Sequence, residues 1–141
     1  MPTRHLSLRI EADTLARLEA QSRKTGRSRS HVAKTLLEEG LRIEAHPGIV
    51  FRPGPAGRRP GLAGGPDVWE VARLFQETES IHEEVIQQIA ILAGLSPEQV
   101  QTVLRYYVDF REEIDDWIQR VDDEAEQAEA AWRRQQALFE R

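Results

Sequence analysis

The 141-residue chain has no cysteine, which removes disulfides, thiol nucleophiles and thiolate metal sites together. Its longest apolar run, Ile89 to Leu95, falls far short of the ~20 residues that a membrane-spanning helix needs. The opening Met-Pro-Thr-Arg-His-Leu-Ser lacks the apolar stretch of a signal peptide, so a soluble, cytoplasmic chain is expected, with no membrane partner. No two histidines lie four apart, and no calcium-loop spacing occurs among the carboxylates. Neither a metal nor another cofactor is expected.

What is present is a charge gradient. Residues 1–66 carry 12 Lys/Arg against 6 Asp/Glu, and residues 67–141 carry 7 against 18, giving the overall charge of −5. A basic head on an acidic tail implies a polyanion at one end and a different partner at the other. Ten acidic residues against two arginines fall between Asp109 and Glu129. Dense carboxylates can serve metal binding or paired acid–base work. Here the spacing fits neither, and the stretch reads as a solvated helix face. No catalysis is expected.

Five of the seven prolines and six of the nine glycines lie between Ala45 and Pro66. That block cannot be helical, since proline clashes with the preceding turn and glycine loses too much entropy on ordering. Within it, Ile49-Val50-Phe51 suits a short strand that Pro53-Gly54-Pro55-Ala56-Gly57 can turn into a hairpin. The block separates a head, residues 1–44, from a helical body, residues 67–118, and a C-terminal helix, residues 119–141.

In the head, Arg4-His5-Leu6-Ser7-Leu8-Arg9-Ile10 alternates strictly, with Leu6, Leu8 and Ile10 on one face of a strand and His5, Ser7 and Arg9 on the other. A helix follows from about Ala12 to Lys24, carrying Leu15 and Leu18 and stopped by Gly26. Ser28 is a good N-cap for a second helix bearing Val32, Leu36, Leu37 and Leu41. One strand and two short helices cannot close a core, and a lone strand leaves its backbone unpaired. Pairing with the same strand of a second chain solves both problems and makes a homodimer. The resulting ribbon buries Leu6, Leu8 and Ile10 and is narrow enough for the major groove of DNA.

Through the strand LSLRI, the junction GRSRS and the apolar pattern of the second helix, residues 1–44 resemble the ribbon-helix-helix repressors of the CopG, Arc and MetJ kind. The resemblance implies base reading by His5, Ser7 and Arg9. It also implies phosphate anchoring by Arg4, Ser28, Arg29 and Ser30, consistent with the free amides and positive dipole end of a helix N-terminus.

The body opens helices at Asp67-Val68-Trp69-Glu70 and Ser80-Ile81-His82-Glu83, both with capping-box spacing, and at Ser96-Pro97-Glu98-Gln99, with proline at the first helical position. The third is expected to run from Pro97 to Val108, with Asp109 restarting or bending it. Trp69 and Trp117 suit core or cover positions. From Ile118 onward, Val121, Ala125, Ala128, Trp132, Gln135 and Phe139 recur at steps of three and four, a narrow stripe like a coiled-coil seam or a groove-binding helix.

Through HPGIVFR, Gly57-Arg58, VWEV, LSPEQV and YYVDFREEIDDWI, residues 46–118 resemble the helical domain-of-unknown-function family 433, frequent among antitoxins. That family usually has Gly-Thr-Arg after the hairpin, where this chain has Gly57-Arg58-Arg59-Pro60. Three such helices suit a helix-turn-helix. However, residues 67–108 carry 2 basic against 7 acidic residues, and phosphate contacts dominate DNA affinity. The body therefore reads as a protein-interaction module.

A mainly α protein is expected, with a ribbon-helix-helix head, a Pro/Gly-rich hairpin linker, a three-helix body and a long C-terminal helix. Together the resemblances imply a VapB-like type II antitoxin that represses its own operon. Its partners would be operator DNA and a PIN-like ribonuclease toxin of the VapC group, in a complex of the homodimer or a higher oligomer. Trp132, Arg133, Arg134 and Phe139 are the expected toxin contacts. The alternatives are a stand-alone ribbon-helix-helix regulator with a ligand-sensing or dimerising body, and a scaffold whose head binds RNA or acidic protein.

Overall fold

The computed structural model describes residues 2–140 as six helices and one two-stranded sheet, a mainly helical architecture. Met1 and Arg141, the outer ends of the expected first and last segments, lie outside the described residues. The helices are α1 (Ala12–Thr25), α2 (Arg29–Ala45), α3 (Val68–Gln76), α4 (Glu83–Ala93), α5 (Pro97–Asp109) and α6 (Arg111–Phe139). The strands are β1 (Ile49–Arg52) and β2 (Arg59–Leu62). None of these helices is long and apolar enough to cross a membrane. The chain divides into two compact units, residues 1–44 and 45–141.

In the first unit, Gly26 closes α1 with φ 68°, the left-handed geometry that glycine adopts without strain. Ser28 opens α2, its Oγ accepting the His31 amide at 3.1 Å. Residues 2–10 form neither helix nor strand within the single chain. No residue of α1 is buried, and Val32 and Glu39 are the buried residues of α2.

The second unit holds the core. β1 and β2 pair antiparallel in the register Ile49↔Leu62 to Arg52↔Arg59, so the hairpin lies where the Pro/Gly block suggests. Ile49 and Leu62 join Val68, Val71 and Phe75 of α3, Ile86 and Ile89 of α4, Val100, Val103 and Tyr106 of α5, and Ile114 and Ile118 of α6. α3 packs against α4, α5 and α6.

Two arginines bind the hairpin to the start of α3. Arg52 donates to Asp67 Oδ1 at 2.9 Å, to the Gly65 carbonyl at 2.8 Å and to the Leu62 carbonyl. Arg59 donates to Asp67 Oδ2 and, at 2.9 Å, to the Pro53 carbonyl. The Gly-Arg-Arg-Pro turn thus places Arg59 in a structural clamp.

Three expectations need correction. The capping box at Ser80 does not form: α4 starts at Glu83, with His82 at the N-cap position making no side-chain cap bond, because residues 77–82 make the reversal out of α3. α5 runs through Asp109, and Phe110, with φ −126° and ψ 37°, makes the break before α6. Residues 118 and 119 do not mark a boundary, since α6 is continuous from Arg111 and its first turns, through Ile114 and Ile118, complete the body's core. The body therefore has four helices, the last extending well beyond it.

Candidate nucleic-acid and partner surfaces

On the head, the expected site residues fall in two places. His5, Ser7 and Arg9 alternate with Leu6, Leu8 and Ile10 in the N-terminal segment, and all six are exposed. The three aliphatic residues have no cover in the chain: Leu6 is 66 %, Leu8 65 % and Ile10 42 % exposed. On α2, Leu36, Leu37 and Leu41 are exposed as well. So many bare aliphatic side chains on 44 residues make a surface that water penalises.

The other place is the α1–α2 junction. The Ser22 hydroxyl donates to the Arg27 carbonyl, and Thr25 donates to the Gln21 carbonyl at 2.9 Å, fixing the turn around Gly26. Ser28 already uses its hydroxyl on the His31 amide, so at the start of α2 it contributes a cap rather than a free side chain. The first turn of α2 has no acidic residue, which leaves its dipole open to an anion. Arg29 pairs with Glu19 of α1 at 3.2 Å, both side chains largely exposed. Such a surface pair is worth about 0.2–1 kcal/mol, so a phosphate can displace the carboxylate. Ser30 and Arg4 are exposed, Arg4 within the irregular N-terminal segment.

On the body, the stripe on α6 changes character along its length. Ile114 and Ile118 are buried, Val121 is half-buried, and Ala125, Ala128, Trp132, Gln135 and Phe139 are exposed. Arg73 of α3 reaches Asp122 at 2.5 Å, and residues 123–139 continue past that link. At 1.5 Å per residue this overhang is about 26 Å long. Trp132 and Phe139 are 58 % and 83 % exposed, and Arg133 pairs with Glu129 one turn earlier at 2.5 Å. Trp69 and Trp117 are half-buried covers, each with an arginine, Arg73 or Arg120, over its ring.

Sequence reasoning missed a cleft of about 390 Å³ lined by Phe75, Gln76, Thr78, Leu104, Tyr107 and Arg111, among others. Below it, Asp115 accepts from the Tyr107 hydroxyl at 2.5 Å and from Gln76 at 2.8 Å. Burial foremost, and then the Asp115 carboxylate, push the Tyr107 hydroxyl above its ordinary pKa. It is assembled from three helices and the α3–α4 turn, so no contiguous motif announces it. His46 was also passed over. It is buried, hydrogen-bonded through Nε2 to Asp109 at 2.8 Å, and packed edge-on against Tyr106.

No protein-family model, curated protein or solved structure matches the chain.

Proposed function

We propose that the protein is a type II antitoxin. Its head dimerises as a ribbon-helix-helix and binds operator DNA to repress its own operon, while α6 neutralises a PIN-like ribonuclease toxin. The observation that carries the reading is the exposure of Leu6, Leu8 and Ile10 together with the leucines of α2, on an N-terminal segment where His5, Ser7 and Arg9 alternate with the aliphatic residues. A paired ribbon buries the first set and presents the second to base edges. The overhang of α6, ending in Trp132, Arg133, Arg134 and Phe139, supplies an aromatic anchor beside cations, suited to a carboxylate-lined nuclease site.

The test combines copurification with titration of duplex DNA. The full chain should retain a small ribonuclease encoded beside it and bind the upstream operator more tightly than random duplex. Arg9→Ala should cost about 1–3 kcal/mol on the operator and relax preference at one base pair. Arg29→Ala should weaken all sequences alike and reduce the salt slope. Wild-type behaviour of both variants on both DNAs would remove the head from DNA binding.

The cleft beside Tyr107 favours a second reading, a stand-alone regulator whose body senses a small ligand. A chain that binds operator but retains no nuclease selects that reading.

A further inference from the structure

α4 carries large aliphatic side chains on two opposite sides. Ile86, Ile89 and Ala90 enter the core. On the other side, Ile91 and Leu92 stand exposed beside the uncharged Gln88. Ile91 is 82 % and Leu92 74 % exposed. Two large aliphatic side chains left bare on adjacent positions make a patch that water penalises.

Charge identifies what covers it. Residues 67–141 carry 18 acidic against 7 basic residues, so most of the body's surface repels a copy of itself. No charged residue occurs from Val85 to Pro97. A two-fold contact sets a patch against itself, which suits a neutral patch and penalises an acidic one. The nearest charges, Glu83 and Glu84, lie in the first turn of α4, about two turns before Ile91 and Leu92, whereas Glu124 and Glu129 stand among the exposed residues of the α6 stripe itself.

We infer that α4 is a self-association surface, on which Ile91 and Leu92 of one body pack against the same residues of a second copy. The inference rests in part on the proposed head dimer, which holds two bodies near each other and so lets a small patch suffice. It gives the protein a second contact between copies, able to brace a dimer or to join dimers on adjacent operator half-sites.

The chain has no cysteine, so an introduced thiol is unique. Gln88→Cys, beside Ile91 and Leu92, is compared with Glu112→Cys, exposed on α6, by the rate at which a short bis-maleimide joins two full-length chains. Position 88 should cross-link at least about tenfold faster, as expected for thiols held at raised effective concentration. Adding Ile91→Glu and Leu92→Glu should bring it down to the rate at 112, with helix content unchanged because both side chains are exposed. If the glutamates lower helix content, Ile91→Gln with Leu92→Gln makes the same comparison. A Leu8→Asp background separates this inference from the head: the preference for position 88 persists there while absolute rates fall. A wild-type chain that sediments as a monomer overturns the head dimer, whereas equal rates at 88 and 112 overturn the α4 contact.

Discussion

Asp67 concentrates much of the body's specificity in one side chain. It caps α3, accepts from Arg52 and Arg59 of the two strands, and donates its own amide to Glu70 Oε2 at 2.8 Å. Gly61 makes room for this arrangement: a Cβ there would lie 2.2 Å from Arg52 Nη1 and 3.2 Å from the Pro66 carbonyl oxygen. Gly61→Ala should therefore expel the Arg52 guanidinium and cost about 1–3 kcal/mol, the usual consequence of breaking a partly buried charged hydrogen bond. Because Arg52→Ala removes the same interaction, the double variant should fall well short of the sum in urea unfolding. Additive losses would show that Gly61 acts through something else. Tyr107 makes a different prediction. Its hydroxyl pKa is raised from 10.0 by burial first and by Asp115 second. The folded state thus holds that proton more tightly than the unfolded chain. Its stabilising share is complete below pH 10 and is lost as pH rises through the folded value. Tyr107→Phe should cost about 1–2 kcal/mol at pH 7, where a hydrogen bond to a charged acceptor is lost. The gap between the two proteins should close on the alkaline side. A gap that widens with pH would contradict the assigned direction.

Among elements, those with local signals were legible and those set by long-range packing were not. Gly26 and Gly94 end α1 and α4 in left-handed geometry, and Ser96 and Gln99 exchange both bonds of a capping box, at 3.1 and 2.9 Å. Such motifs involve neighbours only, so spacing reveals them. Ser80 and Glu83 carry the same spacing, yet the reversal between α3 and α4 takes those residues out of the helix. Tertiary geometry overrides the local preference. The Phe110 break is invisible for a related reason, since no glycine or proline marks it and an aromatic contact with Tyr106, 4.7 Å between ring centres, lies at the bend. The N-terminal segment was legible as an alternating pattern, but alternation becomes a strand only when a partner supplies hydrogen bonds. That dependence can be tested. Leu8→Asp would place a carboxylate inside the proposed ribbon of both chains, and an unpaired buried charge is prohibitive. The variant should lose dimeric structure in the head and DNA binding together, while the core around Tyr106 still unfolds cooperatively. An unchanged dimer that binds DNA would place Leu8 outside the interface.

Across the whole molecule, the two units differ in how much of themselves they can bury. The body closes a core from its hairpin and four helices, whereas among the described residues the head buries one aliphatic side chain, Val32. α6 joins a stable element to an unsupported one: anchored by Ile114, Ile118 and the Arg73–Asp122 link, it carries its stripe past the body. An isolated helix of about 15 residues is marginal in water, so residues 123–139 depend on strong helix formers and on pairs such as Glu129–Arg133. In the proposed function a partner contributes the missing burial, with Trp132 and Phe139 as anchors. Truncation after Asp123 should leave the body's core and the head intact, so dimerisation and DNA affinity should match the full chain. Under the proposed function, inhibition of the ribonuclease toxin should be lost, and Arg133→Glu with Arg134→Glu should weaken inhibition strongly without affecting DNA binding. An RNA-cleavage assay with each purified variant decides the matter. Undiminished inhibition by the truncated chain would move the toxin contact into residues 46–118 and leave the overhang with another partner.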